Sequence, residues 1–235
     1  MPFSMPWVCP GAFFIGGFTM QKHENLRKMI IMAMLAAVAF ILVATVRIPV
    51  VLFLKYEPKD VAITIGGLLL GPLAALIISF VVSLVEMVTI SETGIIGCIM
   101  NFISTCSFAC TAALVYKKKH TIQGAVAGLL AGSAVMICVM LLWNWLITPL
   151  YMGATREAIA QMLIPVFLPF NALKAGFNTA LVLCLYKPLT SALRKTRLLP
   201  ANDRPKGKAK LDIYLFGLIL LATCVLCWLV MQGII

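Results

Sequence analysis

Pro165-Val166-Phe167-Leu168-Pro169-Phe170-Asn171-Ala172-Leu173-Lys174 opens an apolar run that continues to Tyr186 and contains one charge, Lys174. A helix of about 20 such residues crosses the ~30 Å hydrocarbon layer of a membrane. Lys174 follows Pro165 by nine residues, about 13 Å along a helix. A cation near the centre of a span costs roughly 2.5–3.5 kcal/mol on insertion scales, so something must compensate it. Phe167, Phe170, Asn171, Lys174 and Asn178 recur at helical spacing and form one stripe, aromatic at one end and polar further in. Such a stripe suits a flat, partly polar ligand, with rings for stacking and an amide and an ammonium for hydrogen bonds. The structural alternative is a Lys174 paired with Glu86 and an Asn171 that ties helices together.

Composition agrees with a membrane setting. The 235 residues are 62% hydrophobic and 11% charged, less than half the roughly 25% charge of a soluble domain. An ordinary globular enzyme, a disordered chain and a disulfide-stapled secreted domain are thereby excluded. The net charge of +11 would suggest nucleic acid on a soluble protein; on a membrane protein it reads as basic cytoplasmic loops, with no nucleic-acid partner.

Seven apolar runs follow: Met29–Val46, Val61–Leu70, Leu73–Ile90, Gly97–Tyr116, Ile122–Ile147, Pro165–Tyr186 and Leu211–Ile235. The second is short and ends at Gly71-Pro72, a strong breaker. It crosses only if extended at its Asp60 end or shielded by neighbours. With the N-terminus cytoplasmic, Lys22, Arg27, Lys28, Lys117 to Lys119 and the basic stretch from Lys187 to Lys210 all fall inside. Glu57, Asp60, Glu86, Glu92 and Glu157 fall at or near the outer side. This asymmetry supports a multi-pass protein of the plasma membrane. Segment 1–19 contains Pro2, Pro6 and Pro10 and no basic start, so it is expected to be a non-native or disordered leader, with Met20 the natural start. Residues 20–196 form the six-helix membrane domain, 197–210 a basic cytoplasmic linker, and 211–235 a seventh helix.

Catalytic groups are missing. No phosphate-binding loop occurs, His23 and His120 lie in cytoplasmic segments, and most of the eight cysteines read as small apolar fillers inside spans. Ion coupling would place an acid at mid-membrane; the only candidate is Glu86, and it lies about four residues from the outer end of its span. The chain therefore reads as able to bind a ligand and unable to drive its movement; enzyme activity, a metal and a cofactor are not expected.

Other polar residues add to the binding face. Asn144, between Trp143 and Trp145, offers a paired donor and acceptor that matches a pyrimidine-like edge, while the tryptophans fit an interfacial belt. Leu54-Lys55-Tyr56-Glu57-Pro58 lies in an outer loop, as a lid or as plain solvated loop. Ala33 and Ala37 on the first span, and Gly124, Gly128 and Gly132 on the fifth, mark close helix contacts, one ridge for internal packing and another for a partner.

The order of these motifs resembles a known family. Leu54-Lys55-Tyr56-Glu57-Pro58 is followed by Ile65-Gly66-Gly67 and Gly71-Pro72-Leu73-Ala74. Asn101-Phe102, Trp143-Asn144, Ile147-Thr148-Pro149-Leu150-Tyr151-Met152-Gly153 and Pro169-Phe170-Asn171-Ala172-Leu173-Lys174 come after them. From about Lys22 to Lys195 the chain resembles the substrate-binding S-components of energy-coupling factor vitamin transporters, most closely the riboflavin-specific type. The resemblance implies an all-α six-helix membrane bundle that binds one vitamin near its outer face. It implies as partners a transmembrane coupling protein and two cytosolic ABC-type ATPases, with riboflavin as the transported ligand in a lipid bilayer. In it, Asn171, Lys174 and Asn144 correspond to flavin-contacting positions, and Ala33 and Ala37 to the spacing that docks on the coupling protein. Phe167, Phe170, Leu54, Lys55, Tyr56, Asn101, Tyr151 and Glu86 complete the candidate substrate-binding set. The seventh span departs from the six-helix pattern. The same fold with another vitamin or a nucleobase-like ligand, and a membrane assembly protein without a small ligand, are the alternatives.

Overall fold

The computed structural model describes residues 10–51, 54–91, 94–195 and 211–233, with side chains from Glu24 onward except at 122, 151, 194 and 211–213. Helix α1 (Pro10–Thr45) leads into a hairpin of β1 (Ile48–Val51) and β2 (Leu54–Tyr56). Helices α2 (Lys59–Leu70), α3 (Pro72–Thr89), α4 (Gly94–Lys118) and α5 (Ile122–Leu146) follow. Two short helices, α6 (Thr148–Met152) and α7 (Arg156–Met162), and a π-helical turn (Leu163–Phe167) then lead into α8 (Leu168–Lys195). Helix α9 (Leu211–Met231) completes the described chain.

Among the described residues, six stretches are long and apolar enough to cross a membrane: Glu24–Thr45, Pro72–Thr89, Gly94–Lys118, Gln123–Leu150, Arg156–Leu193 and Tyr214–Met231. The additional C-terminal helix expected from the sequence is the last of them. Helix α1 begins at Pro10, within the segment expected to be a leader; proline is tolerated in a first helical turn, and the next one comes only at Pro49. Residues 1–9 lie outside the described chain.

The short second span is helix α2, and its shortness is what builds the site. Twelve residues rise about 18 Å, well under a membrane's ~30 Å. Its polar N-terminus therefore starts within the bundle. Every residue from Lys59 to Leu68 is buried, and α1, α3, α4 and α8 surround the helix and screen its backbone. Gly66 and Gly67 permit the close fit: a Cβ on Gly67 would stand 2.9 Å from Ala75 Cβ, and one on Gly66 would stand 2.8 Å from Ile78 Cδ1. Gly71, at φ 101°, lets the chain reverse, and Pro72 opens α3.

Small residues also join α4 to α5. A Cβ on Gly128 would stand 2.7 Å from the Ala112 carbonyl, and one on Gly132 would stand 2.6 Å from that of Phe108. The glycine ridge of the fifth span is thus internal packing. On α1, Ile31, Leu35, Ala39 and Val43 face inward at four-residue intervals, and Ala33 and Ala37 are exposed on another face.

Candidate functional site

Where α2 begins, the bundle holds a buried polar network. Asp60, fully buried, is its centre. Lys174 Nζ from α8 lies 3.2 Å from Asp60 Oδ2 and donates to Ser104 Oγ of α4 at 3.2 Å. Thr105 Oγ1 donates to Asp60 Oδ1 at 2.6 Å, and Asn178 Nδ2 donates to Asp60 Oδ2 at 3.2 Å. Tyr56 from the hairpin donates its OH to Asn178 Oδ1 at 3.0 Å and packs its ring on Phe177. Burial, and then the Asp60 carboxylate, pushes the Tyr56 phenol well above its ordinary range. The charge that the sequence flagged as costly is thus answered by a carboxylate and a hydroxyl. The structural alternative for Lys174 is corrected: its acid is Asp60, not Glu86.

Glu86 belongs to a second cluster at the same end of the bundle. It pairs with Lys59, whose Nζ also reaches Glu57 Oε2 at 2.9 Å. Arg47 lies 3.4 Å from Glu57 Oε1 and 3.8 Å from Glu86 Oε1. Asn101 Nδ2 donates to Glu86 Oε1 at 2.8 Å. Two cations and two carboxylates balance, which is how charges persist at such depth.

Between the two clusters lies a cavity of about 170 Å³. Lys174, Asn171 and Phe170 line it from α8, and Asn144 from α5. Asn101 and Glu86 line another side, and Leu54 and Lys55 close it from the hairpin. Sequence reasoning passed over Arg47, Ser104, Met100 and Met140, which also contact this space. Asn171 donates from Nδ2 to the Phe167 carbonyl at 2.8 Å, while its buried Oδ1 has no hydrogen-bond partner among the described residues. Asn144 Oδ1 accepts from Thr148 Oγ1 at 3.0 Å.

Two expected ligand contacts fall outside the lining. Tyr56, the last residue of β2, is buried and turns its hydroxyl to Asn178 instead. Phe167 is wholly buried and does not border the cavity. It closes a π turn, with the Leu168 N–H bonded to the Leu163 carbonyl, and keeps helical spacing to Asn171, whose Nδ2 reaches its carbonyl. The side chain of Tyr151 lies outside the described residues. Asp60 is the residue that sequence reasoning placed at the outer side without a role. The signal was available, since a span too short to cross puts its first acid at the depth of Lys174.

Comparison with known proteins agrees with this architecture. Residues 27–186 match the family model "ECF transporter, substrate-specific component". The chain is 25% identical over 185 residues to riboflavin transporter RibU of Staphylococcus aureus, covering 75% of this chain and 96% of that protein. It is 26% identical over 185 residues to riboflavin transporter FmnP of Bacillus subtilis, covering 74% of this chain and 97% of that protein. A solved S component of a bacterial ECF transporter superposes with a TM-score of 0.62 at 25% identity, covering 72% of this chain and 99% of that one. The polar clusters, the cavity and helices α2 to α5 all lie inside the matched region, and the chain belongs to the substrate-specific components of ECF transporters.

Proposed function

We propose that the chain binds riboflavin in the cavity beneath the hairpin and serves as the vitamin-capturing subunit of an importer powered by partner ATPases. The observation that carries the reading is the unpartnered Asn171 Oδ1 on the cavity lining. A buried acceptor without a donor costs about 1–3 kcal/mol, which a ligand N–H recovers. The pyrimidine edge of a flavin presents an imide N–H between two carbonyls. Asn171 accepts from that N–H, and Lys174 and the Asn144 NH2 donate to the carbonyls, with Phe170 packed on the ring system. The charges favour a neutral ligand, because Asp60 offsets Lys174, and Glu57 and Glu86 offset Arg47 and Lys59. The cavity is smaller than the roughly 300–1,000 Å³ of typical ligand clefts, so lining side chains such as Met100 and Met140 shift to admit the ring. The names of the curated relatives support the same vitamin.

The exposed Ala33–Ala37 face of α1 is the docking face for a transmembrane coupling protein, which carries the two cytosolic ATPases. The N-terminus is cytoplasmic, and the hairpin faces outward.

The test is flavin fluorescence on detergent-purified full-length chain. Quenching on titration is expected, with Asn171→Leu and Lys174→Met weakening it by about tenfold or more. A folded chain that leaves riboflavin fluorescence unchanged overturns the proposal.

A further inference from the structure

Helix α9 lies beyond the matched family region, which ends at residue 186, yet it is not peripheral to the site. It packs along α8, where the face of Gly217 meets Cys184 and that of Gly176 meets Cys224 Sγ. Its far end reaches the hairpin. Trp228 Nε1 donates to the Pro49 carbonyl at 3.1 Å, and Gln232 Nε2 donates to the carbonyls of Pro49 at 3.0 Å and Val50 at 2.9 Å. Among the described residues the sheet has two strands, so β1 has β2 on one side and no described strand on the other. These three bonds tie α9 to the backbone carbonyls of β1. Pro49 stands directly opposite Lys55, and Val51 opposite Leu54. Lys55 and Leu54 are the hairpin's contribution to the cavity lining. One apolar cluster joins the same parts: Val50 and Tyr56 of the hairpin, Phe170 and Phe177 of α8, and Cys224 and Trp228 of α9.

We infer that α9 is a built-in clamp on the ligand site, in which Trp228 and Gln232 are positioning residues that fix β1 and, through it, the Leu54–Lys55 wall of the cavity. The ligand side of this inference rests on the riboflavin reading, whereas the hairpin side does not. Because the hairpin is held by a helix of its own chain, ordering it is settled before binding, and a captured ligand leaves more slowly.

The test uses full-length protein in detergent with Gln232→Met, Trp228→Phe and both together. Gln232 is exposed at the helix end, so its substitution leaves the core packing alone, and Trp228→Phe keeps an aromatic ring against the cluster while removing the indole N–H. Hydrogen exchange without ligand is expected to speed up at Val50, Val51, Leu54 and Lys55, by about tenfold in the double variant, with α3 to α5 unchanged. Riboflavin dissociation is expected to accelerate by a similar factor of about ten. A Leu226→Ala control on the exposed side of α9 leaves both unaltered. Hairpin exchange unchanged in the double variant overturns the clamp. Faster exchange with unchanged dissociation overturns its role in ligand retention. If the parent protein binds no riboflavin, the vitamin reading fails, and hairpin exchange still decides the clamp.

Discussion

Lys174 Nζ and Asp60 Oδ2 lie 3.2 Å apart in the interior of the bundle, one carried by the longest site helix and the other by the shortest. Neither charge is tenable alone at that depth. Removing one partner of a buried pair costs about 3–5 kcal/mol, while replacing both can be nearly neutral. Asp60→Asn and Lys174→Met are therefore each expected to lower the melting temperature strongly in detergent, and the double variant to recover most of the loss. Flavin binding should not return with stability in the double variant, because the ammonium is gone. Single variants as stable as the parent would remove Asp60 from its central place.

How much of this was legible follows from the same two residues. Lys174 stood out because an ammonium in an apolar run demands a reason. Its partner did not, because Asp60 reads as the boundary of a loop until α2 is known to start inside the bundle. Phe167 shares the helical spacing of the stripe but packs wholly inside the bundle, and periodicity alone does not separate a core ring from one that lines a cavity. The additional C-terminal helix was legible from hydropathy, but its hold on Pro49 spans 179 positions and leaves no local pattern. The family motifs were plain, and the cavity residues they carry, Asn144, Asn171 and Lys174, do converge.

Glu86 and Glu57 share Lys59 and Arg47 but are not equivalent. Glu86 also accepts from Asn101, and its side chain is 5% exposed against 15% for Glu57. Glu86→Gln is thus expected to destabilise more than Glu57→Gln, the first by about 3 kcal/mol or more as Lys59 loses its closer partner in the interior. Thermal melts of the two single variants check the order, and an equal loss would mean that the cluster is solvated.

The two small-residue ridges predict opposite phenotypes. Gly132→Ala places a methyl 2.6 Å from the Phe108 carbonyl and forces α4 from α5, at a cost of about 1–3 kcal/mol. Ala37→Leu lies on an exposed face of α1 and should leave the melting temperature of the isolated chain within about 0.5 kcal/mol of equivalent stability. Under the proposed docking role, the same Ala37→Leu chain should still quench riboflavin but fail to co-purify with a coupling protein and its ATPases. Undiminished co-purification would move the docking face elsewhere.

Tyr56 provides a pH-dependent signature outside the spans. Its phenol is held protonated in the folded chain by burial and by Asp60, whereas an unfolded tyrosine ionises near pH ~10. The folded state therefore keeps a proton that the unfolded state gives up. Stability from this group is fully present below about pH 10 and is lost as pH rises beyond it. Tyr56→Phe removes the donor to Asn178 Oδ1 and should cost about 1–3 kcal/mol at neutral pH. Because the variant has no phenol to ionise, its stability should fall less steeply above pH 10, and the gap to the parent should narrow. Melting curves of both proteins from pH 8 to pH 11 measure the gap directly. A constant gap across that range would mean that Tyr56 ionises as freely folded as unfolded, and that the hairpin does not seal the network beneath it.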